Sequence, residues 1–151
     1  MVLEKKPFQQ GNITLGNSIA EFVKAKASIS SIISAINPLR LVHNGGDIYE
    51  GNFVSGRASG FGSQIFLDGR YYTGQFLSNK LDGQGQFNWL DGRQYIGEYV
   101  KNRKQGYGEY RWQDGRVWKG EWTDGRMSGV GRFEMKGHLL QGEWKDGNYL
   151  T

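Results

Sequence analysis

Few residues in this chain have the types and spacing that catalysis needs. The only two histidines, His43 and His138, lie far apart in the sequence, and neither has a carboxylate and a nucleophile close to it in the chain. An imidazole becomes a general base when such partners orient it, so His43 fits an aromatic position better and His138 a turn. The chain has no cysteine, which excludes thiolate metal ligands and cysteine nucleophiles. We therefore expect no enzyme activity, with no catalytic residue, no metal site and no cofactor.

Two further patterns could be mistaken for anion sites. The run Gly106-Tyr107-Gly108 resembles part of a phosphate loop, but no G-x-G-x-x-G stands between a strand and a helix. Arginines that follow Asp-Gly could bind an anion, although we favour solvated turn residues; they are Arg70, Arg93 and Arg116.

One basic cluster offers a surface for an acidic partner or for acidic lipid headgroups. It consists of Lys101, Arg103 and Lys104, with Lys80 one repeat earlier. Each such charge contributes about 1 kcal/mol near an anionic membrane, so four of them make a weak anchor. Acidic-lipid contact at these four residues is therefore a secondary hypothesis.

The elements that carry these residues repeat with a fixed period. Glycines recur at intervals of 23 residues in three series: Gly51, Gly74, Gly97 and Gly120; Gly62, Gly85, Gly108 and Gly131; and Gly69, Gly92 and Gly115. A fixed period of this length indicates a repeat architecture. The units are 48–70, 71–93, 94–116 and 117–138, the last shortened by one residue, with half-units at both ends.

Each unit contains two short strand patterns, 72–77 and 83–90 in the second unit. Asn79 and Asn102 stand where the other units have Gly56 and Gly125, and these residue types tolerate the positive φ of a tight turn. Asp-Gly, as at 68–69, is a strong hairpin signal. The chain therefore predicts an all-β meander of antiparallel strands.

Alternation along the strands puts aromatic residues and glycines on one face and polar residues on the other. Tyr72, Gly74 and Phe76 share a face, as do Gly83, Gly85, Phe87 and Trp89. We expect the rings to lie in the hollows that glycines of neighbouring strands leave. A buried ring removes roughly 150–250 Å² from water, which outweighs the cost of about 0.5–1 kcal/mol for a glycine in a strand.

The residues before the repeats have a different character. Residues 1–40 are predicted to form an extended arm and one amphipathic α-helix over about 18–36, ending before Pro38. Its apolar face carries Ile19, Phe22, Ile29, Ile32 and Ile36. This face either caps the protein's own sheet or docks on a partner, and the sequence leaves both alternatives open.

The opposite end of the array is a second candidate interface. A repeat cannot bury its rings alone, so terminal units are weak points, and an open strand edge invites pairing with another chain. We therefore expect the C-terminal edge, with Leu140, Trp144 and Tyr149, to touch a partner or a second copy.

Charge excludes one class of partner. The net charge is +4, but residues 1–46 hold five basic and two acidic groups, and the repeat body, residues 47–151, holds 14 and 13. A nucleic-acid binder usually has a continuous basic stripe, so no nucleic acid is expected. The first residues lack the apolar core of a secretory signal, and we expect an intracellular protein.

The string YTGQF…DGQGQF…DGRQYIGEY…GYGEYRWQDGRVWKGEW resembles the MORN repeat, the membrane occupation and recognition nexus family, over about 48–147. The resemblance implies an elongated, twisted single-layer antiparallel sheet of MORN β-hairpins over 41–151. It also implies a non-enzymatic structural or scaffold subunit that mediates protein–protein interaction in a larger eukaryotic assembly, with an axonemal or cytoskeletal one as a candidate. This would place the chain in the cytoplasm or cytoskeleton, including the cilium axoneme. A peripheral tether for acidic phospholipids and a regulatory module of an enzyme partner are the alternatives.

Overall fold

The computed structural model describes residues 40–42 and 45–150, and these form eleven strands without a helix. The strands are β1 Arg40–Val42, β2 Ile48–Val54, β3 Arg57–Ile65, β4 Tyr71–Leu77, β5 Lys80–Asn88, β6 Gln94–Val100, β7 Arg103–Arg111, β8 Val117–Thr123, β9 Arg126–Met135, β10 His138–Lys145 and β11 Asn148–Tyr149. The predicted arm and helix, with their apolar face, lie outside the described residues.

All eleven strands belong to one sheet, in which each strand pairs with its sequence neighbours. Every pairing is antiparallel. The predicted meander of hairpins is therefore confirmed. The sheet begins with β1, which pairs with β2 through Leu41 and Tyr49.

Two kinds of turn join the strands. Two-residue turns, such as Ser78–Asn79 and Lys101–Asn102, have positive φ at both residues, as a type I′ hairpin requires. The Asp-Gly signals lie instead in five-residue connections: the Phe66 amide donates to the Arg70 carbonyl at 2.9 Å, and Gly69 has φ +85°. The shortened fourth unit replaces this connection with the two-residue turn Lys136–Gly137.

The asparagines of the two-residue turns also bond to the preceding hairpin. Asn102 Oδ1 accepts from the Leu81 amide at 2.8 Å, and the Asn102 amide donates to the Leu81 carbonyl at 2.9 Å. Asn79 forms the same pair of bonds with Ala58. Gly125 has no side chain and supplies only the backbone donor, to the Lys104 carbonyl. The asparagine side chain thus adds a hydrogen bond between its turn and the backbone of the preceding hairpin.

The core is built on cross-strand glycine pairs. Gly74 pairs with Gly85, and the ring of Tyr72 lies over both. A Cβ added to either glycine would therefore collide with that ring or with the partner's backbone. The Tyr72 hydroxyl then donates to the Gln75 carbonyl at 3.0 Å. We call this arrangement the seat. Equivalent seats hold Tyr49 over Gly51 and Gly62, Tyr95 over Gly97 and Gly108, and Trp118 over Gly120 and Gly131.

The seats confirm that glycine makes room for rings, but they correct which rings. Each seated ring belongs to the same hairpin as its glycines, not to a neighbouring repeat. Contact between hairpins comes from a second ring two strands along: Tyr99 packs against Tyr72 at 5.5 Å, and Trp122 against Tyr95 at 5.2 Å, both nearly perpendicular. Edge-to-face pairs of this kind stabilise beyond their buried area.

The predicted face of the sheet is wrong for one glycine in each unit. Gly83 was expected on the aromatic face, but a Cβ there would meet Gln75 of the polar face, and Gly106 and Gly129 face Glu98 and Glu121 in the same way. The cause is a β-bulge between the pairs Gly74–Gly85 and Phe76–Leu81, which places extra residues on β5. The second strand also begins earlier than predicted, at Lys80.

Candidate functional site

One row of aromatic-face positions is not occupied by aromatic residues. These positions come just after each two-residue turn and lie opposite a ring of the first strand, in the pairs Phe53–Ala58, Phe76–Leu81, Tyr99–Lys104 and Trp122–Met127. We call Ala58, Leu81, Lys104 and Met127 the groove floor. The bulge lies further along the second strand than these residues, so their side chains stay on the same face of the sheet as the rings.

Two open cavities border this floor, the first at Ala58 and the second at Lys104 and Met127, with the buried Leu81 between them; together with the floor they define the groove. The first, of about 380 Å³, is lined by Tyr49, Ala58, Gln64, Phe76 and Asn79 with Gly45 and Asp47. The second, of about 240 Å³, is lined by Lys104, Tyr110, Trp112, Trp122, Gly125, Arg126, Met127 and Gly147. The two are equivalent, since a shift of two repeats carries Ala58 onto Lys104 and Gln64 onto Tyr110. The first cavity is larger because Ala58 and Gln64 replace larger residues.

Lys104 places a cation inside the second cavity. Its Nζ lies 4.4 Å from the ring centroid of Tyr110, 4.6 Å from that of Trp122, 5.2 Å from that of Tyr95 and 5.4 Å from that of Trp89. Burial, with a smaller contribution from Arg93, lowers the pKa of Lys104 to about 8. In the part of the chain that the structure describes, this ammonium has no carboxylate partner within ion-pair distance. The rings stabilise the charge through their π faces and leave it available to a ligand.

The turn arginines flank the groove but are already engaged. The Arg93 guanidinium lies 5.4 Å from the Trp89 ring, and its Nε is 2.7 Å from Asp91 Oδ2. Arg70 and Arg116 repeat this arrangement on Phe66 and Trp112. The Arg116 side chain, by hydrogen bonding, holds the pKa of Asp114 below its usual value. These arginines therefore fix the five-residue connections rather than forming a free anion site.

Comparison with known proteins shows which family has this repeat. A family model described as the MORN repeat matches residues 49–69, 72–92, 95–115 and 118–136, which together exceed half of the chain. The chain belongs to the MORN-repeat family. No curated protein matches it.

Solved structures also contain similar sheets. One is the SAS-4 (dCPAP) TCP domain of Drosophila melanogaster, in complex with a proline-rich motif of Ana2 (dSTIL), at 17% sequence identity and a TM-score of 0.47. The match covers 69% of this chain and 58% of that chain, so this chain spans less than two thirds of it.

The MORN array separates the four residues predicted to contact acidic lipid. Lys80, Lys101 and Arg103 are exposed at the two-residue turns, and Arg103 is paired with Asp124 at 3.0 Å. Lys104 follows directly in sequence but points into the aromatic groove. The structure therefore leaves three of the four exposed at the turns and places the fourth in the groove.

The three residues predicted at the C-terminal edge also differ in their exposure to solvent. Leu140 and Tyr149 are exposed, whereas Trp144 is 5% exposed because its ring packs at 4.4 Å from that of Trp118 and at 4.7 Å from that of Tyr149. Trp144 therefore completes the ring row of the last hairpin. A short pairing, Trp144 with Tyr149 and Lys145 with Asn148, joins β10 to β11, and the Leu150 amide donates to the Glu143 carbonyl at 2.9 Å.

The polar face contrasts with the groove because several of its charges are paired with each other. Glu109 forms ion pairs with Arg111 and Lys119, and Arg132 with Glu134. His138 is exposed at the start of β10. Among the described residues, no group of histidines and carboxylates has a metal-binding arrangement, and no helix is of the length and hydrophobicity that crossing a bilayer requires.

Sequence reasoning missed the groove floor, although a signal for it was present. Lys104 stands 23 residues after Leu81 and 23 before Met127, so the repeat aligns it with two apolar residues. The neighbouring Lys101 and Arg103 instead suggested a single basic surface. Aligning the repeats by column would have marked Lys104 as the charged member of an apolar column.

Proposed function

We propose that this MORN array is a non-enzymatic structural or scaffold subunit that binds other proteins through its aromatic face. The observation that carries the proposal is the groove, whose floor changes from hairpin to hairpin and whose walls include rings in both cavities. Aromatic walls that are partly open to solvent are typical of protein-binding surfaces. The lining residues of the two cavities contain rings, amides, cations and the Asp47 carboxylate but no nucleophile paired with a base, which supports a binding role over catalysis.

Site-specific photo-cross-linking in the native assembly tests this role. A photoreactive phenylalanine analogue at Met127 would sample the groove, and the same analogue at exposed Val130 would sample the polar face of the same strand. We expect protein adducts from position 127 and few from position 130. Adducts from 130 alone, or from neither position, would contradict binding through the aromatic face.

The identity of those adducts addresses the assembly. We propose an intracellular location within a larger eukaryotic assembly, with an axonemal or cytoskeletal one as the first candidate. Mass spectrometry of the adducts, together with imaging of the tagged chain, would establish or reject this. An enzyme as the recurrent adduct would instead favour the alternative of a regulatory module.

A second candidate, a tether for acidic phospholipids, is favoured by the exposed cations at the turns. It predicts that the protein sediments with phosphatidylserine vesicles at low salt and dissociates as salt screens the charges. Replacing Lys80, Lys101 and Arg103 together with glutamine should abolish the binding. No sedimentation at low salt would eliminate the tether.

Self-association through the C-terminal edge is a further part of the proposal. On one side, the described residues His138–Gly142 of β10 pair with β9; on the other side, β10 pairs with β11 only at Trp144 and Lys145, and the Glu143 carbonyl accepts from the Leu150 amide at 2.9 Å. Sedimentation velocity of the protein, compared with a variant carrying proline at Gln141, would detect pairing through that edge. A monomer at all accessible concentrations would reject it.

A further inference from the structure

The chemistry of the groove floor changes at regular distances. Each hairpin contributes two strands, and strands lie about 4.8 Å apart, so consecutive floor positions are about 9.6 Å apart. Side chains of a β-strand alternate between its two faces, so residues three apart would point in opposite directions. A polyproline II chain has three residues per turn and rises about 9.3 Å over them. A polyproline II chain that crosses the strands therefore places every third side chain over a floor position.

Lys104 determines what one of those side chains should be. Its ammonium lies among four rings and is unpaired among the described residues, whereas the arginines beside the groove are held by their own aspartates. A carboxylate that enters this partly buried cavity would meet the cation at a low local dielectric, where their attraction is stronger than in water. Leu81 and Met127, on either side, offer only apolar contact.

We propose that the groove binds a segment of a partner protein in the polyproline II conformation, with an aspartate or glutamate on Lys104 and apolar side chains three residues before and after it on Leu81 and Met127. This inference rests on the proposed protein-binding function and specifies the chemistry of the partner. The larger cavity at Ala58 takes a further apolar side chain, three residues beyond the one on Leu81.

Polyproline II geometry fits the floor better than α-helical geometry does. Seven residues of an α-helix rise about 10.5 Å, which exceeds the hairpin spacing by about 0.9 Å. One turn of a polyproline II chain falls short of that spacing by only about 0.3 Å. Because the mismatch accumulates over the floor from Ala58 to Met127, an α-helix would lose register where a polyproline II chain keeps it.

Selection from a random twelve-residue peptide library displayed on phage tests the proposal. The full chain is compared with Lys104→Met, which installs the floor residue of the next hairpin, and with Lys101→Met, which removes one exposed charge outside the groove. We expect wild type and Lys101→Met to select an acidic residue with apolar residues at three-residue spacing. Lys104→Met should select an apolar residue in place of the acidic one.

A double-mutant cycle then measures the contact directly. One selected peptide and its Glu→Gln form are titrated by fluorescence anisotropy against wild type and Lys104→Met. We expect each single change to weaken binding by about tenfold or more, and the two together to weaken it no further. If Lys104→Met lowers the melting temperature, Lys104→Leu, which copies Leu81, replaces it.

Several results would overturn the proposal. They are no enrichment on the full chain, the same acidic motif from Lys104→Met, a helical spacing of about seven residues, or additive effects in the cycle. Protein adducts through position 127 without an acidic motif in the selection would leave the scaffold function in place and reject this inference alone.

Discussion

The seat and the groove floor lie a few residues apart in every hairpin, yet they behave in opposite ways. The seat keeps the same glycine pair in all four hairpins, under Tyr49, Tyr72, Tyr95 and Trp118. The floor differs each time, as Ala58, Leu81, Lys104 and Met127. The difference arises because the seat has no free volume, while Ala58, Lys104 and Met127 of the floor border open cavities.

This contrast separates what maintains the fold from what selects a ligand. A seat glycine cannot carry a side chain, since the added Cβ would overlap a ring or a backbone atom on the facing strand. A floor residue that borders a cavity, such as Lys104, can change its size and charge because space remains beside it. Specificity can therefore vary along the array without disturbing the sheet.

Breaking a seat should have the largest effect. In Gly85→Val the new side chain would occupy the position of the Tyr72 ring, so we expect a loss of about 3 kcal/mol or more and a melting temperature lower by about 10 °C or more. Gly108→Val should act similarly through Tyr95. Trp89→Phe, at a partly exposed ring, should cost about 1 kcal/mol.

The matched control for this prediction is Gln86→Val. It puts the same branched side chain next to Gly85 but on the polar face, where it should change stability by less than about 1 kcal/mol. Thermal denaturation followed by circular dichroism gives the comparison. Equal losses in Gly85→Val, Trp89→Phe and Gln86→Val would refute the account of the seat.

Removing an asparagine of a turn should have an intermediate effect. Asn102→Ala loses the acceptor for the Leu81 amide and puts alanine at φ +70°, so we expect a loss of about 2 kcal/mol. Asn102→Gly restores the backbone freedom and should lose only about 1 kcal/mol. Chemical denaturation measures both; a larger loss for glycine than for alanine would contradict the role of the positive φ.

Removing the charge of Lys104 should stabilise the protein at neutral pH, and the size of the effect should depend on pH. The pKa of Lys104 falls to about 8 in the folded state from its ordinary 10.5, so between these values the unfolded chain binds the extra proton. Stability of the wild type should therefore rise with pH across this window. We expect Lys104→Met to be about 1–2 kcal/mol more stable at pH 7, with the advantage shrinking toward pH 9.5.

The other charged and titratable groups around Lys104 do not mask its effect on stability in this pH range. They are Arg93, Arg126, Tyr95, Tyr99 and Tyr110. Burial raises the pKa of the Tyr95 and Tyr99 phenols, so they stay neutral in the folded protein there. Urea denaturation at pH 7, 8 and 9 suffices, and a constant difference between the two proteins would show that burial does not perturb Lys104.

Enlarging the floor where a cavity exists should have the smallest effect. Ala58→Leu copies the floor residue of the next hairpin and extends into the cavity of about 380 Å³. We expect a change in stability within about 1 kcal/mol in either direction. A loss as large as that of Gly85→Val would mean that the floor is as tightly packed as the seat.

Several parts of the structure could be predicted from the sequence because they depend on local pattern. Glycine at fixed positions, alternating rings and Asn or Gly in the turns specify hairpins and a one-sided aromatic core. Gly83 was assigned to the wrong face because a bulge is a property of strand pairing, which a period of two along one strand does not reveal. Trp144 was taken for an edge residue because its contact with Trp118 depends on the order of hairpins in the sheet.

The sequence by itself determined that the chain repeats and folds into hairpins with ring-over-glycine seats. These follow from residues close together in the chain, such as Tyr72 with Gly74 and their hairpin partner Gly85. Only the tertiary structure decided the environment of Lys104, since its surrounding rings, from Trp89 to Trp122, come from successive hairpins. Their convergence on one ammonium requires the strand register and the bulges together, and no local pattern contains both.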